Sequence, residues 1–286
     1  MGIEYETIEN LFVFNQKDVI DIKLLFWNLK RNSIEKYIID IIIENNIDVC
    51  IFAEYSGIKF DNVLLELKNN YGLFDGNGGC DKITMIARKC YTVDVRREQN
   101  RYTIYSVFSD NENYIIAGIH LQDNSHSDSE TRKSTIRDIV ADIKEQEKSL
   151  KNDNTVIIGD FNASPFDDEL VQKDSFNAVL FKDLIMKTEF VTFNGRKYRR
   201  FYNPMLNYIS EDDSIYGSFY YGSGIKTLYW YFYDQVIVRK ALANRIHTIS
   251  IIKAIKNKRL VKDIIPNKEI SDHLPLIVEL ERSIML

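Results

Sequence analysis

The sequence is short of the features that divide, anchor or cross-link a chain: four prolines and three cysteines in 286 residues, and no excess of positive charge. No Pro/Gly/Ser-rich tract, low-complexity segment or internal repeat offers a linker. One domain over residues 1–286 is therefore expected, with residues 1–20 as an added strand or arm. Cys50, Cys80 and Cys90 cannot build an even disulfide framework, and Cys50 falls inside a strand pattern, so free thiols in a reducing compartment are expected. The longest apolar cluster, 37–43, is interrupted by Asp40 and is far too short to span a bilayer. The first residues, Met1 to Glu6, lack the basic and apolar regions of a signal peptide, and Glu6 spoils a myristoylation match. A cytoplasmic location is the expectation. With a net charge of −5 and a pI near 5.5, no global basic field recruits nucleic acid.

What is present is a 45% hydrophobic content, enough for a large core. Ser33 reads as the N-cap of a helix through residue 45, with Ile34, Ile38, Ile41 and Ile42 on one stripe. A second helix is expected over 60–69. Strand-like runs follow at 82–88, 101–108 and 114–119. A long charged helix over 127–150 carries Ile136, Ile139, Val140 and Ile143 as its apolar face. A short buried strand at 155–158 comes next, then a helix after Asp167.

That last strand leads into the most informative segment, Gly159-Asp160-Phe161-Asn162. Strand side chains alternate faces, so Asp160 and Asn162 are expected to project together as the strand ends. Other polar residues stand at the tips of apolar runs. Asn28 follows Leu24 to Trp27, Glu54 follows Val49 to Ala53, and His120 follows Tyr114 to Ile119. Ser271-Asp272-His273 precedes Leu274 to Val278, and Asp234 breaks the pattern by preceding its own strand, Gln235 to Val238. Taken singly, each residue has a structural explanation: a turn cap, a solvated carboxylate, a satisfied histidine. Asp168 and Glu169 read as solvated helix-start charges, and His126 and His247 as surface residues.

Taken together, and in this order, the blocks Trp27-Asn28, Glu54, His120-Leu121, Gly159 to Asn162, Asp234 to Val236 and Ser271 to His273 resemble the endonuclease/exonuclease/phosphatase superfamily, which has the DNase I-like fold. They span nearly the whole chain. The resemblance implies an α+β fold of two packed, mostly antiparallel β-sheets flanked by helices. It implies phosphoester hydrolysis with Mg²⁺ or Mn²⁺, which carboxylates and amides suit better than soft ligands would. The residue matching Glu54 is the family's principal metal ligand, helped by those matching Asn28 and Asp272. Asp160 and Asn162 match the residues that orient nucleophile and phosphate, and Asp160 matches a position able to hold a second metal. His273, paired with Asp234, matches the histidine that contacts the scissile phosphate, its pKa raised by the carboxylate. His120 matches a candidate general acid near the leaving group. The His-Leu block departs from the abasic-site endonuclease branch, which carries a tyrosine there, and looks more like the DNase I, sphingomyelinase and tyrosyl-DNA phosphodiesterase side.

For substrate contact the sequence offers Arg196, Lys197, Arg199 and Arg200, interleaved with Tyr198, Phe201 and Tyr202. A solvated strand edge explains this stretch equally well. Aromatics crowd 216–221 and 229–233; they either pack a β-core or stack bases, at ~1–3 kcal/mol per base. The expected function is a nuclease or DNA-end phosphodiesterase whose partner is nucleic acid, DNA ahead of RNA. A phosphoesterase of a small molecule or lipid headgroup stays open. A non-catalytic binding module is disfavoured because every block position holds its family residue type.

Overall fold

The computed structural model describes residues 20–109, 112–123, 128–208, 217–223 and 228–283. The expectation for residues 1–20 lies outside these, apart from Ile20, which opens the first strand. In chain order the main elements are β1 (Ile20–Asn28), α1 (Glu35–Asn45), β2 (Val49–Ala53), α2 (Phe60–Glu66), β3 (Tyr71–Leu73), β4 (Ile83–Arg88), β5 (Thr92–Gln99), β6 (Tyr102–Phe108), β7 (Asn113–His120), α3 (Ser129–Leu150) and β8 (Thr155–Asp160). Later strands at Ala178–Val179, Phe201–Tyr202, Asp234–Val238, Ile246–Ile251 and Leu276–Glu281 complete two sheets. The six-stranded sheet runs in the order 246–251, 276–281, β1, β2, β4, β3. The seven-stranded sheet runs β5, β6, β7, β8, 234–238, 201–202, 178–179.

Strand alternation builds the layers. On β1, Leu24 and Phe26 join Val156 and Ile158 of β8 and Val236 and Val238 in a core between the sheets. Leu25 and Trp27, one residue out of step, pack outward against Ile38, Ile41 and Ile42 of α1. On the other sheet Ile157 and Ala117 face Ile136, Ile139 and Ile143 of α3. The result is helix, sheet, sheet, helix, with each buried aliphatic side chain contributing about 1.5–3 kcal/mol. The sheets approach closely at Gly118, where a Cβ would lie 2.7 Å from Ile51 and 2.8 Å from Ile83 on the opposite sheet.

Three local expectations change. Ser33 does not cap α1 with its side chain; its hydroxyl donates to the Gly57 carbonyl at 2.9 Å, and the helix begins at Glu35. The second helix stops at Glu66, because Lys68 and Asn69 adopt left-handed backbone with φ of 55° and 54°. The strand β5 was not legible, because Thr92–Gln99 is charged and half-exposed and carries no apolar alternation. The start of α3 is fixed by Asp128, whose carboxylate accepts from the Thr131 N–H at 2.8 Å; residue 127 lies outside the described residues. Among the described residues no helix is long and apolar enough to cross a membrane.

Candidate active site

Strand direction gathers the polar residues at one end. β1 and β2 are parallel, as are β7 and β8, so Asn28, Glu54, His120 and Asp160 finish together. The strand Asp234–Val238 runs antiparallel to β8, and Leu276–Glu281 runs antiparallel to β1, so residues at or before their starts arrive at the same rim. Asp234 pairs directly with Asp160, and Asp160 with His120. Asp234 therefore conforms to the topology although it broke the sequence pattern. Asn28, His120, Asp160 and Asp234 also share parity with inter-sheet core residues (Phe26, Ile116, Ile158 and Val236), so they stand over the cleft between the sheets. Glu54 has the opposite parity, following Ala53 of that core. Its backbone turns left-handed, φ 48°, and brings the carboxylate to the rim.

Asp160 lies at the centre. Its Oδ1 accepts from the Asn162 N–H at 3.0 Å, and its Oδ2 accepts from Asn28 Nδ2 at 3.0 Å. The same Oδ2 is 3.7 Å from His120 Nε2 and 3.8 Å from His273 Nε2. Glu54 Oε1 approaches His120 Nε2 at 3.7 Å. His273 Nδ1 is 2.8 Å from Asp234 Oδ2, and Trp27 Nε1 donates to the His273 carbonyl at 3.0 Å. Ligand atoms of Asp160, Asp234 and His273 all lie within 4.8 Å of one another. Asp272 stands beside them and pairs with Lys30 Nζ at 3.2 Å.

Burial alone would push the His273 pKa down, but the Asp234 and Asp160 carboxylates outweigh it and hold the imidazole up to about 10. Burial pushes Asp234 upward against the pull of His273. One proton is therefore held tightly between the two, with Nδ1–H donating to Asp234. Asp234 Oδ1 and His120 Nδ1 are buried without a hydrogen-bond partner, an unusual cost for polar atoms outside a functional site.

Asn162 differs from expectation. It is not a second strand-end side chain aligned with Asp160, because the strand ends at Asp160 and Asn162 turns left-handed at φ 46°. Its Nδ2 donates to the Leu121 carbonyl at 2.9 Å, which ties the Gly159–Asn162 segment to the His120 loop.

The basic stretch needs a larger correction. Arg196–Arg199 forms a hairpin with Phe190–Phe193. Arg199 is locked by Asp153 at 2.6 Å, Glu189 at 2.6 Å and Glu147 at 3.2 Å. Lys197 sits 4.1 Å over the Phe190 ring, Arg200 donates to the Thr188 carbonyl at 2.7 Å, and Arg196 is exposed on the same hairpin. Asp153 stands before the start of β8 and Asp160 at its end, so these cations are about 20 Å from the rim at ~3.3 Å per strand residue. Arg196, Lys197, Arg199 and Arg200 are thus not brought to the site.

Several rim residues had no site role assigned from sequence, although Ser271 stood in the Ser271 to His273 block and the aromatics in the two crowded segments. Ser218 Oγ accepts from the Asp234 N–H at 2.9 Å, and Ser271 Oγ donates to the Asn28 carbonyl at 2.7 Å. The Phe219 ring lies 4.7 Å from His273 and stacks on Tyr233 at 5.3 Å. The aromatic segments 219–220 and 230–231 pair as strands beside His273, while Tyr221 and Tyr229 are half-exposed. Tyr216 lies outside the described residues. Lys30 and Arg31, adjacent to Trp27-Asn28, were recoverable from that adjacency alone.

Two helix-covered sheets that meet at a rim of carboxylates and histidines define the DNase I-like fold. Within it, the chain belongs to the Endonuclease/Exonuclease/phosphatase family, whose model matches residues 25–273. No curated protein matches the sequence. Among solved structures, the human Nocturnin catalytic domain with a bound sulfate anion is 12% identical, with 92% of this chain and 94% of that one covered, at a TM-score of 0.56. The 3'-5' exonuclease NExo from Neisseria meningitidis is 12% identical over 91% and 100% of the chains, at 0.53. An AP endonuclease from Archaeoglobus fulgidus is 14% identical over 91% and 99%, at 0.52. At such identities the likeness is one of fold.

Proposed function

We propose that the protein is a divalent-metal-dependent phosphodiester hydrolase acting on nucleic acid, as a nuclease or DNA-end phosphodiesterase. The observation that carries this reading is Asp160 Oδ2, which faces the Nε2 atoms of both His120 and His273 at 3.7 and 3.8 Å. An acceptor flanked by two imidazoles suits an in-line displacement at phosphorus. Support for one catalytic domain comes from both sheets drawing strands from across residues 20–281.

The donor set fits Mg²⁺ or Mn²⁺: carboxylate oxygens of Glu54 and Asp160 and the Asn28 carboxamide at one rim, with the buried Asp234 Oδ1 left without a partner. Glu54, Asn28 and Asp272 would hold the ion, with Asp160 available to a second. Bound there, it would neutralise phosphate charge and acidify a coordinated water. Asp160, fixed by Asn28 and the Asn162 N–H, orients the attacking water and accepts its proton. Protonated His273 donates from Nε2 to a phosphate oxygen, while Asp234 accepts from Nδ1–H and so fixes the ring and its charge. His120 stands to protonate the leaving oxygen. Asn162 keeps the His120 loop beside Asp160 through Leu121.

One observation favours a second reading, a phosphoesterase of a small molecule: the basic stretch 196–200 is spent on structural contacts far from the rim. Labelled single-stranded DNA, duplex DNA and RNA, incubated with Mg²⁺, Mn²⁺ or EDTA, separate the two. Metal-dependent cutting that vanishes in Asp160→Asn is the expected result. No cutting of any polymer, with bis-p-nitrophenyl phosphate still hydrolysed, moves the assignment to the small-molecule class.

A further inference from the structure

The turn after Trp27-Asn28 places two cations against two candidate metal ligands. Lys30 and Arg31 are consecutive non-glycine residues with φ of 51° and 60°, a strained arrangement that persists only where its surroundings enforce it. The enforcement is visible. Lys30 N–H donates to Asn28 Oδ1 at 3.0 Å, Arg31 N–H to the Glu54 carbonyl at 2.7 Å, and Asn32 Nδ2 to the Ile270 carbonyl at 3.0 Å. Gly57 packs beneath, where a Cβ would lie 2.0 Å from the Arg31 carbonyl oxygen. The turn is thus tied to the segments that carry Asn28, Glu54 and Asp272. It brings Lys30 Nζ to 3.2 Å from Asp272 Oδ2 and Arg31 Nε to 3.5 Å from Glu54 Oε2.

These pairs do not explain the strain as a stability device. The Lys30 and Arg31 side chains are 35% and 65% exposed, and ion pairs so open to solvent add little. They are also long enough to let go. We infer that Lys30 and Arg31 form a charge-exchange pair. Without metal they neutralise Asp272 and Glu54; when a divalent cation takes those carboxylates, the ammonium and guanidinium turn to the phosphate oxygens of the substrate. The inference rests on Glu54 and Asp272 being metal ligands, as proposed above. A bound divalent ion inverts the local field, so the two cations lose their carboxylates and gain an anion to bind, Arg31 through two parallel N–H donors. Metal and phosphate then raise each other's affinity, as linkage requires. The turn supplies the substrate contact that the stretch 196–200 does not.

The test uses the full chain, calorimetry with Mn²⁺ alone, and then inorganic phosphate added to the Mn²⁺-saturated protein. Lys30→Met with Arg31→Met should tighten Mn²⁺ about fivefold or more and weaken phosphate by at least as much. Saturating phosphate should tighten Mn²⁺ several-fold more in the wild type than in the double variant. Lys30→Arg with Arg31→Lys should retain the coupling. Mn²⁺ affinity that is unchanged or weaker in the methionine variant, phosphate affinity that is unchanged, or a wild type that binds no Mn²⁺ would each overturn the inference. If the double variant melts early, the single variants Lys30→Met and Arg31→Met must each tighten Mn²⁺ and weaken phosphate in part, or the inference fails. None of these measurements needs turnover, so a protein that shows the exchange and cuts no nucleic acid overturns only the nuclease reading.

Discussion

His273 Nδ1 and Asp234 Oδ2 stand 2.8 Å apart with both side chains buried, and the Asp234 N–H is itself held by Ser218 Oγ at 2.9 Å. The histidine thus has one orientation, with its Nδ1–H directed at Asp234. Asp234→Asn keeps the shape and removes the charge that holds the imidazolium. Turnover of bis-p-nitrophenyl phosphate should fall by about two to four orders of magnitude with the melting temperature little changed. A loss of less than about tenfold would remove His273 from the role given to it.

Glu54 combines a carboxylate proposed to hold the ion with a backbone conformation that favours glycine. Glu54→Gln and Glu54→Gly should both lose turnover by orders of magnitude. They should differ in stability: the glycine variant relieves the left-handed strain and should be about 1 kcal/mol more stable than the glutamine variant in urea unfolding. Equal stability would show that the residue relaxes without cost.

Arg199 is paired with three carboxylates and is 15% exposed. Arg199→Gln should destabilise the fold by about 1.5–3 kcal/mol, since Glu147 loses one charged partner while keeping Arg239 at 2.7 Å. The KM for an oligonucleotide should stay within about twofold. A several-fold rise in KM without a drop in melting temperature would restore this hairpin as a substrate contact.

Glu169 is not the solvated helix-start charge its sequence position suggests, because it is buried in an ion pair with Arg132. Burial raises the Glu169 pKa, but the hydrogen bond and charge of Arg132, with the hydrogen bonds from the Glu169 backbone and Ser129, together outweigh it, and the carboxyl is held below its ordinary value of 4.5. A depressed folded-state pKa gives stability that is present above 4.5 and lost as pH falls through the lower folded value. Glu169→Gln should cost about 3 kcal/mol at pH 7, because Arg132 is left unpaired. Its melting temperature should then fall less than the wild type's between pH 5 and pH 3. A parallel fall in both proteins would show that the pair does not set the acid limit.

Much of the rim was legible because strand parity is a sequence property. Asn28, His120 and Asp160 each continue the alternation of an apolar run, so the face they take follows from counting residues. The layers were legible for the same reason, with Phe26 and Leu24 in step and Leu25 and Trp27 out of step. The charged edge strand β5 was not, since a strand buried on neither face needs no apolar period.

Other decisions belong to the tertiary structure. That Asp234 meets Asp160 follows from an antiparallel pairing between residues 74 apart, which no local pattern encodes. Glu54 reaches the rim by a left-handed turn, against its parity, because the Arg31 N–H holds its carbonyl. The basic run 196–200 and the pair Lys30-Arg31 look alike as sequence, cations in a polar context. Carboxylates supplied by distant segments decide between them: Glu147, Asp153 and Glu189 hold the first away from the site, while Asp272 and Glu54 draw the second into it. The sequence determined which residue types stand at strand ends, because alternation is local. Which of them share a site was decided only by folding, because charge finds its partner in space.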